Sequence, residues 1–218
     1  KSLISIVFIW LLLFNTSPIY SLDHRQLLFR EALDVSSKGD FGEAIIKWDQ
    51  YLDQFPDDAA ALSNRGNVKL ALGDPKGAIR DQNKSINLDS NALDPYLNRG
   101  IAKESLGLWI KAKEDYEFII SRDSQNSSAF YNLGNVEGSL SNWSAAKNLF
   151  SKASQYNPGF AMARSSMALA DYELGNFNKS EQELRKLIRR YPTFVDARAA
   201  LTALTSSKGN YGEAESNW

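Results

Sequence analysis

The feature that most restricts this chain is a phrase it repeats. Residues 64–79 read NRGNVKLALGDPKGAI, residues 98–113 read NRGIAKESLGLWIKAK and residues 132–147 read NLGNVEGSLSNWSAAK, each starting 34 residues after the last. Aligning the LGD glycine gives Gly39, Gly73, Gly107, Ser141, Gly175 and Gly209, without insertion or deletion. Five residues after each stands a small side chain (Ala44, Ala78, Ala112, Ala146, Ser180, Ala214), and seven before each stands another (Ala32, Gly66, Gly100, Gly134, Ala168, Thr202). Small residues at both places let two helices approach closely, as a tight helix–turn–helix needs. A bulky residue lies nine after the glycine at Trp48, Tyr116, Phe150, Leu184 and Trp218, with Gln82 the exception. A ring lies two after it at Phe41, Trp109, Trp143, Phe177 and Tyr211, with Pro75 in the second copy. Pro56, Pro158 and Pro192 close three copies, where a helix must stop, and Ser90 and Ser124 hold that place in two others.

This combination of period and slots resembles the tetratricopeptide repeat, a pair of antiparallel helices per unit. The resemblance covers residues 25–218, as copies 25–58, 59–92, 93–126, 127–160, 161–194 and a partial 195–218 that stops within its second helix. It implies an all-α chain, a right-handed superhelical solenoid of antiparallel helix pairs occupying residues 22–218. One such unit cannot bury its apolar face alone, so stacked neighbours supply the core. The ring residues are then core side chains, and no cofactor is expected. With Trp218 in mid-helix, further chain or a partner would be needed to cover the last unit. Glu31, Arg65 and Arg99 occupy a slot where the family has leucine, which predicts loosely packed units.

Ahead of the repeats lies LISIVFIWLLLF, residues 3–14, behind a basic residue and before the turn-prone NTSPIYSLD. A comfortable span needs about 20 apolar residues, so the run fits the apolar region of an export signal better, with cleavage after Ser21. The alternatives are a retained membrane anchor over residues 1–21 or a buried core helix. The first two carry the rest of the chain across a membrane.

Chemistry finds little footing. The chain has no cysteine and a single histidine, His24, so thiolate nucleophiles and His/Cys metal sites are excluded, and no metal is expected. No phosphate-binding glycine loop is present. Asp57–Asp58 follows Pro56 at a copy boundary and reads as a helix start. Catalysis would need Asp94 and Glu104 of the third copy and Glu173 of the fifth to act together. A net charge of −1 gives no general attraction to nucleic acid. The reading is therefore a non-catalytic scaffold for other proteins.

Tetratricopeptide repeat proteins bind a peptide or a partner's helix along the concave side lined by the first helix of each pair. Helical phase assigns to that side Asn64, Asn67, Leu97, Asn98, Ile101, Tyr131, Asn132, Asn135, Ser165 and Leu169. Asparagine both donates and accepts, so a ladder of it grips a peptide backbone of any sequence. Asn64, Asn98 and Asn132 are equally suited to bonding between neighbouring copies. One subclass grips the C-terminal carboxylate of cytosolic chaperones. Here Asn67 and Asn98 match it, but Ser63, Ser128 and Asn132 replace its cations, so no chaperone-tail clamp is expected. A second candidate surface is the basic run Arg185, Lys186, Arg189 and Arg190 on the second helix of the fifth copy. Such a run is also a common solvated helix end favoured by the dipole.

Stretches such as ALSNRGNVKLALGDPKGAI, YNLGNV, FAMARSSMALA and LIRRYPTFVDARAAL resemble cyanobacterial and plastid tetratricopeptide repeat proteins with an N-terminal export or anchor segment. That resemblance implies a thylakoid or periplasmic setting and a role in assembling photosynthetic membrane complexes. A self-associating organiser, or a non-catalytic subunit of an enzyme, are the alternatives.

Overall fold

The computed structural model describes residues 18–207 and residue 209, with side chains described for residues 24–206. The apolar run 3–14 and the second helix expected for the last copy lie outside the described residues. Among those residues there are eleven helices: α1 (Pro18–Ser37), α2 (Phe41–Gln54), α3 (Ala59–Ala71), α4 (Pro75–Leu88), α5 (Asp94–Glu104), α6 (Trp109–Arg122), α7 (Ser127–Ser139), α8 (Trp143–Tyr156), α9 (Ala161–Glu173), α10 (Phe177–Arg190) and α11 (Val195–Ser207). No strand occurs among the described residues. None of the described helices is long and apolar enough to cross a membrane.

Local chemistry explains where these helices begin and end. Asp40, Asp58, Asp74 and Asn126 each stand before a helix, and a side-chain oxygen of each accepts the amide three residues on, at 2.8–3.1 Å. Asp58 is thus the helix start that Pro56 announced. Pro75 takes the ring slot because it is the first residue of α4, where its missing N–H costs nothing. The glycine ladder marks left-handed backbone between the helices of a pair: φ is +79° at Gly39, +81° at Gly73, +69° at Gly107 and +79° at Gly175. Ser141 adopts φ 61° in the same slot, a conformation that costs any residue with a Cβ. At Gly73, Gly107, Ser141 and Gly175 an amide reaching back five residues closes the turn, as from Asp74 to Lys69 and from Asn142 to Glu137, each at 2.8 Å.

The chain divides into two compact units, one ending at Pro95 and one beginning at Tyr96. In the first, Trp48 and Tyr51 are buried among Ala32, Ala44 and Leu62, with Phe29 edge-on to both rings at 5.0 and 5.4 Å. The Trp48 indole donates to Ser36 Oγ at 2.8 Å, so the core tryptophan keeps its polar tip satisfied. The small slots work as close contacts. A Cβ on Gly66 would lie 2.6 Å from Gln82 Nε2. Gln82 departs from the aromatic pattern, but it fills the same position: its amide is buried and donates to Ser63 O at 2.9 Å and Asn67 Oδ1 at 3.2 Å.

In the second unit, a Cβ on Gly100 would lie 2.5 Å from the Tyr116 ring, and one on Gly134 would lie 2.5 Å from that of Phe150. Its packing continues through Phe130, Ala153 and Ala163, and through Leu184, Leu187, Leu201 and Leu204.

Loose packing at the charged slots is not what the structure contains. Arg65 Nε and Nη2 form two 2.8 Å bonds to the buried Asp81 carboxylate, and Arg65 Nη1 reaches Asp49 at 2.8 Å. Lys69 stands 2.7 Å from Asp81. Arg99 repeats the arrangement with buried Asp115, joined by Lys103 at 2.7 Å. Glu31 takes the inverse pair, with Lys47 at 3.4 Å. The polar slot is filled because its partner, 16 residues on, carries the opposite charge.

Candidate partner-binding groove

Within the second unit a hollow of about 270 Å³ opens between α7, α9 and α11. Three residues assigned to the concave side from helical phase meet there: Tyr131 from α7, and Ser165 and Leu169 from α9. Met162 and Ser166 complete the α9 wall, and Phe194, Asp196 and Ala200 form the opposite one. A smaller hollow of about 110 Å³ adjoins it, walled by Leu169, Tyr172, Leu184, Ala200, Ala203 and Leu204, with Ser180 also in its lining. Leu169 and Ala200 line both, so the two are halves of one groove. Met162 and Leu169 are each 45% exposed.

Packing from behind fixes the groove. The Tyr131 ring lies 4.9 Å from Phe160 and 5.8 Å from Phe150, which hold it on the α7 face. Beneath α9, Asp171 is fully buried, receiving Lys147 Nζ at 2.6 Å and the Asn176 amide at 3.1 Å, with Lys179 3.3 Å from its other oxygen. Burial pushes the Asp171 carboxyl up, but the lysines outweigh it and hold the group below its usual range. Glu137, under α7, is held low by Lys113 at 2.6 Å and by Asn142 at 2.8 Å. These ties fix helices that carry groove residues.

The other expected residues are distributed as follows. Leu97, Asn98 and Ile101 are half-buried on α5, and Asn132 and Asn135 are half-buried on α7. Asn64 and Asn67 belong to the first unit, where Asn64 donates to its own helix at Ala60 O, 3.0 Å away. Asn67 accepts from Gln82, which leaves it less free to hold a ligand. In the basic run, Arg185 pairs with Glu181 at 3.0 Å and Lys186 with Glu183 at 2.8 Å, while Arg189 and Arg190 occupy the last turn of α10. Two of the four cations are therefore partly neutralised on their own helix. Glu104 is turned into its own helix pair, where it accepts a hydrogen bond from the Tyr116 hydroxyl. Burial raises its pKa, with the tyrosine bond a smaller opposing effect. Among the described residues no cluster of His, Asp or Glu is arranged to hold a metal ion.

Phe194, Asp196 and Ala200 escaped the sequence reading. Asp196 and Ala200 stand one helical turn apart on the first helix of the partial copy, where the phase argument was not carried. Extending it by one copy finds Ala200, in register with Asn132, but not Phe194 or Asp196.

The tetratricopeptide repeat family is matched over residues 29–92 and again over residues 140–205, together more than half of the chain. Mouse tetratricopeptide repeat protein 36 is 30% identical over 71 residues, 33% of this chain, and the match spans 38% of that protein's length. Among solved structures, a tetratricopeptide repeat protein from Parabacteroides merdae is similar with a TM-score of 0.73 at 22% identity, covering 88% of this chain and 77% of its own. PilF of Pseudomonas aeruginosa is similar with a TM-score of 0.75 at 19% identity, covering 89% of each chain. With the repeat ladder, the paired helices and these matches in agreement, this chain belongs to the tetratricopeptide repeat family.

Proposed function

We propose that the chain is a non-catalytic scaffold that holds a short segment of a partner protein, a peptide or a single helix, in the groove between α7, α9 and α11. The observation that carries this reading is the convergence of Tyr131, Ser165 and Leu169 on one open, largely apolar hollow. The family supports protein–protein interaction in general, and the groove supports a ligand with apolar side chains. The apolar run 3–14 favours export or anchoring, and the resemblance to cyanobacterial and plastid tetratricopeptide repeat proteins favours a thylakoid or periplasmic setting. The partner in that setting is a subunit of a membrane complex under assembly.

Affinity capture with the full chain from solubilised membranes tests the proposal. The paired bait carries Tyr131→Ala and Leu169→Arg, with circular dichroism confirming its helix content. A membrane-complex subunit retained by the first bait and lost by the second supports the groove. Identical retention by both sinks it.

A further inference from the structure

We infer that the groove selects a basic segment, laying a lysine or arginine in its wider hollow and a branched aliphatic side chain in its smaller one. This rests on the groove reading above and adds the chemistry of the ligand.

The wider hollow combines two rings, Tyr131 and Phe194, with the Met162 thioether and the Asp196 carboxylate, and no lysine or arginine lines it. The carboxylate of Asp196, an exposed residue, forms no hydrogen bond or ion pair among the described residues. The buried Asp115, Glu137 and Asp171 of the same unit are each matched to a lysine, whereas the exposed Asp196 keeps its charge open to a ligand in the hollow. A long cationic side chain suits such walls: its methylene stem lies on apolar surface while its charged head meets ring faces and a carboxylate. An acidic side chain would meet Asp196 with like charge, and a purely apolar one would leave that carboxylate facing it. Asp196 also favours the first turn of α11 through the helix dipole. That role needs only its position in the turn and leaves its oxygens available.

The smaller hollow sets the second preference. Its volume of about 110 Å³ is less than the roughly 150 Å³ of an engineered cavity that holds benzene, so it fits a branched aliphatic group better than a ring. The walls are Leu169, Tyr172, Leu184 and Leu204 with two alanines. Ser180 also belongs to this lining, but its hydroxyl is itself out of reach, so a bound segment meets apolar walls here. Since Leu169 and Ala200 wall both hollows, the two anchoring side chains lie within a few residues of each other on one strand or turn of the partner. Ser165 and Ser166, between them on α9, offer hydroxyls to that segment's backbone.

A displayed library of random heptapeptides, panned on the full chain, tests this without knowledge of the natural partner. Enriched peptides should carry lysine or arginine a few residues from valine, leucine or isoleucine. Fluorescence anisotropy on a synthetic consensus peptide should show binding that weakens about 3- to 10-fold with Asp196→Asn, recovers with Asp196→Glu and falls as salt is raised. Ala200→Trp, which fills the wall common to both hollows, should weaken it at least about tenfold. Should that variant lose its helical signal, Ala203→Trp, at an exposed position, blocks the smaller hollow alone. Peptides that respond to the tryptophan variants but carry no cation, or ignore Asp196→Asn, overturn the basic preference and leave the groove standing. Peptides that ignore the tryptophan variants, or a library that yields no enrichment, overturn both readings.

Discussion

At Ser141 the backbone takes a left-handed turn that the other copies reserve for glycine. A side chain there clashes with the following carbonyl, a cost of roughly 1–2 kcal/mol. Ser141→Gly should therefore raise stability by about 1 kcal/mol, net of glycine's greater freedom in the unfolded chain. Gly175→Ala should lower it by a similar amount. Urea unfolding of both variants checks the pair, and a stabilised Gly175→Ala would refute the argument. The buried acids make a sharper case. Asp115 compensates Arg99 and Lys103 together, so Asp115→Leu strands two cations and should cost about 3–5 kcal/mol. The next copy carries Leu133 and Leu149 in the two slots that Arg99 and Asp115 occupy. Accordingly, Arg99→Leu added to Asp115→Leu should recover about half of the loss, measured by the same unfolding curves. A double variant no more stable than the single would show that Arg99 does not depend on Asp115.

Among elements, closeness of approach is the controlling quantity. Alanine outranks glycine as a helix former by about 1 kcal/mol, so Gly134→Ala would stabilise an isolated α7. In the folded chain its Cβ would lie 2.5 Å from the Phe150 ring, and displacing that ring should cost about 1–3 kcal/mol. A net loss of stability is expected, and adding Phe150→Leu should relieve part of it. Both the glycine turns and these contacts were legible in the sequence, because each demands one residue type whatever surrounds it. The ion pairs were not. Glu31, Arg65 and Arg99 look like defects when each is compared with an apolar slot, and their meaning lies in partners 16 residues away. Groove residues on α7 and α9, and Ala200 on α11, follow from helical phase, whereas Phe194 and Asp196 depended on which helix closes the hollow. Sequence periodicity does not carry that information.

For the whole molecule, the carboxylates set how stability depends on pH. Asp58 is pushed up by burial but held lower overall by the Tyr51 hydroxyl, the Ala61 amide and Arg25. Asp58, Glu137 and Asp171 all titrate below their ordinary values in the folded state. Their contribution is full above the unfolded carboxylate range, near pH 4, and is lost as pH falls through the lowered folded values. Glu104 works in the other direction. Its raised pKa means its contribution is present at low pH and is lost as pH rises through the folded value. Glu104→Gln keeps an acceptor for Tyr116 without the charge, so it should add up to about 1 kcal/mol at pH 7 and little at pH 3. Chemical denaturation at the two pH values reads the difference, and a variant less stable at pH 7 would contradict it.

The buried ion pairs also decide what each one couples. Asp81 and Asp115 are held by cations of their own copy, whereas Glu137 is held by Lys113 of the copy before, and Asp171 by Lys147 of the copy before at 2.6 Å together with the more distant Lys179 of its own. In a linear array of repeats, the first kind of pair adds to the intrinsic stability of one repeat and the second to the coupling between neighbours. Loss of Lys147 should therefore weaken a junction more than either repeat beside it. Hydrogen exchange would then report segments on the two sides of that junction opening at separate free energies, where the intact chain opens them together.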